Sequence, residues 1–215
     1  DSVFHDLQGT KEEILKIEEL LKRNKWQVSS YMGKNGTEES FLNMHGKSPK
    51  LLHLATHGFY YTPNRAENVD YLKGYTDAMS LSGLVMSGGN AAWLGKQLPK
   101  GVLGGILTAN DIARLDLSNT DMVVLSACQT GQGKATSEGL YGLQRAFKKA
   151  GVGTIVMSLW NVSDKTTSEF MTTFYERLAD KKNAWNKRKA FEEAKEIIRQ
   201  KHPDPFHWAA FVMLD

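Results

Sequence analysis

Short apolar runs alternate along this chain with stretches whose apolar residues recur at helical spacing. Between Thr10 and Arg23 the residues Ile14, Leu15, Ile17, Leu20 and Leu21 share one helical face, with Thr10 as N-cap and Glu13 three positions on. Trp26 to Met32 predicts a strand, and Thr37 to Phe41 opens a second helix that ends near Gly46. Leu51 to Ala55 reads as a short buried strand ending in Thr56-His57-Gly58. Phe59 to Thr76 is polar and aromatic without a period, which predicts loop. Two β-like runs follow, Ser80 to Met86 and Val102 to Leu107, joined by an exposed hairpin loop over Ser87 to Lys100. Asp111 falls in a short helix leading toward Leu117.

Met122 to Ser126 is the most strongly apolar strand, and it delivers Ala127-Cys128 into a polar, glycine-rich loop, Gln129 to Ser137. Glu138 to Ala150 predicts a helix with Gly151 just past its last turn. Thr154 to Leu159 predicts another buried strand, after which Ser163 and Asp164 cap a long helix to about Ala179. A last helix, Asn183 to Lys201, is stopped by Pro203 and Pro205, and Trp208 to Leu214 forms a closing strand. Alternation of this kind predicts an α/β domain with a largely parallel sheet.

Composition narrows the chemistry. The 215 residues fit one domain with a substantial core. Twenty-seven basic residues against 24 acidic ones leave a net charge of +3, too small for a strong field. The one basic cluster, Lys181, Lys182, Lys187, Arg188 and Lys189, reads as a solvated loop and helix start, so no nucleic-acid partner is expected. A single cysteine excludes an internal disulfide framework and a Cys-rich zinc site, and it fits a reducing, cytoplasmic compartment. No signal peptide is evident, and no apolar run approaches the roughly 18 residues of a membrane span. The chain starts at Asp1 rather than at a methionine, so a fragment or processed product is expected. Met79, Met86, Met157 and Met171 lie in patterned segments and read as core filling. No His/Asp/Glu spacing suggests a metal, and no cofactor is implied. The run from Gly131 to Thr136 fails as a phosphate loop, because Cys128 stands where a glycine is needed and Ala135 where Ser or Thr must follow Lys134.

Two strand ends each present one reactive side chain near a glycine: His57 beside Gly58, and Cys128 three residues before Gly131. In parallel α/β sheets functional groups gather at the carboxyl ends of strands. If the two strands are neighbours, imidazole and thiol face one cleft. A thiolate attacks a carbonyl carbon, a nearby imidazole handles the proton, and the resulting oxyanion needs N–H donors. The amides of Gly58 and Cys128 are the candidates. On residue types alone the matter stays open, since a lone cysteine is commonly a buried, inert residue. His53 lies about 13 Å from His57 at roughly 3.3 Å per residue and belongs to the core or its edge.

The segments Leu52-His53-Leu54-Ala55-Thr56-His57-Gly58 and Val124-Leu125-Ser126-Ala127-Cys128-Gln129-Thr130-Gly131 closely resemble CHAT domains, the caspase-like modules related to separase. The resemblance continues in order through Gly104 to Ile112, Ser137 to Leu140, Ala146 to Val152, Ser158 to Asp164, and Asp204 to Val212. It implies a three-layer α/β/α sandwich with a mostly parallel central sheet. It also implies a cysteine endopeptidase whose dyad is His57 and Cys128, the imidazole acting as general acid/base. Relatives with the Leu-Trp-x-Val-x-Asp junction use an acidic residue there to hold a basic P1 side chain, and Asp164 is the matching position. A helix-capping role for Asp164 stands beside that one, and the two are compatible. Asp121 is a weaker S1 candidate because it precedes the catalytic strand.

The resemblance further implies a protein substrate and an upstream tetratricopeptide-type repeat region or an activating partner. Glycine-rich loops flank the site without an internal staple, so its pocket is expected to form only when substrate or partner orders it. The competing expectation is an interaction module of the same fold with a dormant site.

Overall fold

The computed structural model describes residues 4–67, 69–126 and 137–215. In chain order its elements are α1 (Gln8–Arg23), α2 (Glu38–Leu42), β1 (Leu51–Leu54), β2 (Gly58–Tyr60), α3 (Pro63–Ala66), β3 (Ser82–Val85), α4 (Gly89–Trp93), β4 (Ile106–Thr108) and α5 (Ala109–Ile112). They continue with β5 (Met122–Leu125), α6 (Ser137–Lys149), β6 (Thr154–Ser158), α7 (Asp164–Ala179), α8 (Lys187–Lys201), α9 (Pro205–Trp208) and β7 (Phe211–Leu214).

Four strands form the central sheet in the order β1-β5-β6-β7. β1 pairs in parallel with β5, and β5 with β6, while β7 closes the sheet antiparallel to β6. Because successive side chains point to opposite faces, this sheet needs cover on both sides. Met122, Val124, Val156, Phe211 and Met213 pack against α1, α7 and α8. Leu52, Val123, Leu125, Ile155 and Met157 pack on the other face against Phe41, Ile112, Ala146 and Phe147 from α2, α5 and α6. The result is the three-layer α/β/α sandwich with a mostly parallel sheet. At roughly 1.5–3 kcal/mol per buried side chain these two layers supply the main driving force. Phe170 and Phe211 stack at 3.8 Å between ring centroids across the first of them.

A second, three-stranded antiparallel sheet, β2-β3-β4, grows from the end of β1. Its aromatic core holds Phe4, Phe59, Tyr61, Leu72, Leu81, Val85, Trp93 and Ile106. A Cβ at Gly83 in central β3 would lie 2.4 Å from the Leu107 carbonyl oxygen and 2.7 Å from the Phe59 ring. Gly83→Ala is therefore expected to cost about 1–3 kcal/mol by overpacking, read as a lower urea midpoint; an unchanged midpoint would contradict this packing.

Several expectations are corrected. Residues 26–32 are irregular rather than a strand; Trp26 and Val28 instead lean on the α7/α8 layer, Trp26 with its ring 4.8 Å from Trp185. Thr10 lies inside α1, whose N-cap is Leu7. The segment 59–76 contains most of β2, α3 and a turn of 3₁₀ helix at Asp70–Leu72, because Phe59, Tyr60, Tyr61 and Leu72 are buried. Ser87 to Lys100 is not an exposed hairpin loop: Gly88, at φ 89, turns the chain into α4, which buries Trp93. Val102 to Gly105 precede β4 rather than belonging to it. The last long helix starts at Lys187, with Asn186 as N-cap, and residues 208–210 close α9 before β7 begins.

Candidate active site

The parallel pairing sets the site. β1 and β5 are neighbours, in register from Leu51 opposite Met122 to Leu54 opposite Leu125. The Ser126 amide then donates to the Leu54 carbonyl at 2.9 Å, so Leu54 and Ser126 lie side by side at the end of the sheet. β6, on the far side of β5, ends at the same edge and leads through residues 159–163 to Asp164. His57 follows β1 by three residues, and Cys128 follows Ser126 by two. Cys128, with the amide it would lend to an oxyanion, lies outside the described residues.

His57 sits where the chain passes from the parallel sheet into β2. Its carbonyl accepts from the Val85 amide at 2.8 Å, and the Thr56 hydroxyl donates to the Val85 carbonyl, so β3 fixes the backbone on both sides of the turn. The side chain is 9% exposed, with its ring 5.6 Å from that of Phe4. Its Nε2 is hydrogen-bonded to the His5 carbonyl. A carbonyl oxygen only accepts, so Nε2 carries a proton.

Gly58 stands opposite Leu84. The bonds Val85 N–H to His57 and Tyr61 N–H to Leu81 mark residues 57 and 61 as the hydrogen-bonded positions of the β2–β3 ladder. Alternation makes Gly58 a non-hydrogen-bonded position, so its N–H points away from β3. β2 is an edge strand among the described residues. Sequence reasoning named Gly58 for its missing side chain; the direction of its amide comes from the register.

Asp164 opens α7, but the cap is Ser163, whose hydroxyl accepts from the Thr166 amide. Asp164 Oδ2 instead accepts from the Gly9 amide at 2.6 Å. The carboxylate thus lies between the positive ends of α1 and α7, which both favour its charge. Asp121 is not brought to this edge. It precedes β5, is well exposed, and faces Lys50 at 3.8 Å, about 17 Å of strand away from Ser126 at 3.3 Å per residue. His53 is a core residue: Nε2 lies 2.8 Å from the buried Glu13 carboxylate and Nδ1 3.0 Å from the Tyr175 hydroxyl.

Sequence reasoning missed three contributors. Asn90 in α4 and the aromatic group around Trp93 lie close to His57 through Phe4, and Gly9 holds Asp164. Burial raises the phenol of Tyr61, and it pushes that of Tyr71 up to about 12 with help from the Glu38 charge, so both stay neutral hydroxyls in this pocket. The motif Gly88-Gly89-Asn90 was the available signal, and it read as loop. Among the described residues no cluster of His, Cys, Asp and Glu is arranged to hold a metal, and no helix is long and apolar enough to cross a membrane.

Comparison with known proteins adds the family. The chain is 32% identical over 111 residues to tetratricopeptide repeat protein 28 of Mus musculus, and to the same degree over the same length to its Homo sapiens counterpart. Those matches cover 51% of this chain and 4% of each relative, so the chain spans a small part of the proteins it resembles. The family model for the CHAT domain matches residues 1–215. Both the motif order and the shared edge of β1 and β5 accord with that match, and the chain belongs to the CHAT domain family, with its caspase-like fold.

Proposed function

We propose that this chain is a cysteine endopeptidase in which Cys128 is the nucleophile and His57 the general acid/base, cleaving a protein after Arg or Lys. The observation that supports the reading is the parallel β1–β5 pair, which ends Leu54 and Ser126 side by side at one sheet edge, with Cys128 two positions after Ser126 in sequence. In this mechanism the Cys128 thiolate attacks the scissile carbonyl carbon, and the amides of Gly58 and Cys128 stabilise the oxyanion. His57 gives a proton to the leaving amine, and water then hydrolyses the thioester with His57 as base. Asp164 selects the basic P1 side chain. The tetratricopeptide naming of the relatives supports an upstream repeat region or a repeat-bearing partner as activator.

A positional-scanning peptide library tests this. The wild type is expected to cleave after Arg and Lys, Cys128→Ala to lose turnover, and Asp164→Asn to lose the basic preference. If Cys128→Ala cleaves as fast as the wild type, the reading fails.

One observation favours the second reading, a dormant interaction module: the His57 Nε2 proton is already engaged by the chain's own His5 carbonyl. A Cys128 that stays unmodified by a P1-Arg electrophile, under conditions that activate the assembly, would support that alternative.

A further inference from the structure

Residues 4–9 run across the carboxyl edge of the parallel sheet, from His57 beyond β1 to Asp164 beyond β6. The His5 carbonyl lies on His57 Nε2, and the Gly9 amide lies on Asp164. In the sheet order β5, the strand that leads in sequence to Cys128, lies between β1 and β6.

The grip on Phe4 is that of a receptor on a peptide. Its amide donates to Asn90 Oδ1 at 2.8 Å, and its carbonyl accepts from Asn90 Nδ2 at 2.8 Å. One side-chain amide that meets both backbone groups of one residue imitates a β-bridge, and it reads extended backbone whatever the side chain. The side chain is read separately. Phe4 is 6% exposed, its ring edge-on to Trp93 at 5.2 Å, and Trp93 is itself held by Phe59, Tyr61 and Tyr71. His5 and Asp6, by contrast, are exposed and Leu7 is half-buried, so Phe4 is the fully buried side chain among residues 4–7 of this strap.

We propose that Asn90 and the aromatic pocket around Trp93 form a peptide-binding subsite that takes an extended segment with an aromatic side chain and sets the next residue's carbonyl on His57, with Phe4–His5 as its built-in occupant. The inference rests on the reading of His57 as catalytic. Its consequence for substrates is a preference for an aromatic residue immediately before the residue at the cleaved bond. Its consequence for the free chain is competition: a tethered segment acts at an effective concentration on the order of millimolar. An incoming peptide then sees only the fraction of chains whose strap has left.

The test is a binding measurement with a fluorescein-labelled, amidated peptide of residues 1–7, followed by anisotropy. Phe4→Ala, which empties the pocket, is expected to bind the peptide at least about tenfold more tightly than the wild type, because apparent affinity scales with the competent fraction. The same peptide with Phe4→Ala is expected not to bind. Adding Asn90→Asp to Phe4→Ala keeps the acceptor but sets a carboxylate against the peptide carbonyl, and is expected to abolish binding. Should Phe4→Ala not fold, Asn90→Asp in the wild-type chain serves instead: strap release is then expected as exposure of residues 4–6 in hydrogen exchange. Equal binding by wild type and Phe4→Ala, or unchanged exchange in Asn90→Asp, would overturn the proposal. The assay runs unchanged on a Cys128→Ala chain, so its failure leaves the peptidase reading standing, and failure of turnover leaves this subsite standing.

Discussion

Replacing His57 by alanine is expected to lower peptide hydrolysis by about 10²–10⁴-fold, the range for loss of a positioned acid/base group. The thiolate would have to form without a neighbouring imidazole, and the leaving amine would depart without its proton. The fold should persist, because the Val85 amide bonds to the His57 carbonyl, which any residue supplies. Comparing kcat/KM and urea midpoint for His57→Ala separates the two effects. A variant that keeps wild-type turnover would remove His57 from the mechanism, and one that merely unfolds would make its role structural.

The second large effect concerns the buried group behind the site. Glu13 is 1% exposed, and its carboxylate accepts from His53 Nε2 at 2.8 Å, tying α1 to β1. With that proton on Nε2, the neutral ring accepts at Nδ1 from the Tyr175 hydroxyl of α7. Full burial, with the Glu13 charge nearby, pushes the Tyr175 phenol well above its usual range, so it remains a donor. Glu13→Ala leaves the His53 Nε2–H without its acceptor and is expected to cost about 1–3 kcal/mol, the penalty of an unsatisfied inner donor. Glu13→Gln keeps an acceptor and should cost less. Urea unfolding of both variants checks this; a loss below about 0.5 kcal/mol for Glu13→Ala, the level of an ordinary surface substitution, would show that the network does not hold the layers together.

The central sheet was legible because a strand buried on both faces carries a short run of adjacent apolar residues. Met122–Leu125 is such a run, Thr154–Ser158 holds one at Ile155–Met157, and the edge strand Leu51–Leu54 keeps three leucines around His53. His57 and Asp164 follow β1 and β6 at the same sheet edge, as strand recognition predicted, while Cys128, which follows β5 in sequence, lies outside the described residues. Elements whose burial comes from single large side chains were not legible. Trp93 in α4 and the three residues of β2 show no period, and only contacts with distant residues such as Phe4 and Leu84 make them structured. The reverse error at Trp26–Met32 has the same cause: β-like residues found a helical layer to pack on rather than a partner strand. Asp164 shows how far local rules reach. Its place at a helix start was readable, but its partner is Gly9, 155 positions away.

In the proposed mechanism Cys128 is a nucleophile activated by His57. The most direct test is mass-spectrometric labelling of Cys128 by a peptide electrophile bearing Arg at P1, in the wild type, in Phe4→Ala and in His57→Ala. Stoichiometric modification of Cys128 is expected, faster in Phe4→Ala than in the wild type and strongly slowed in His57→Ala. Labelling at the same rate with and without His57, or labelling only of the unfolded chain, would contradict it.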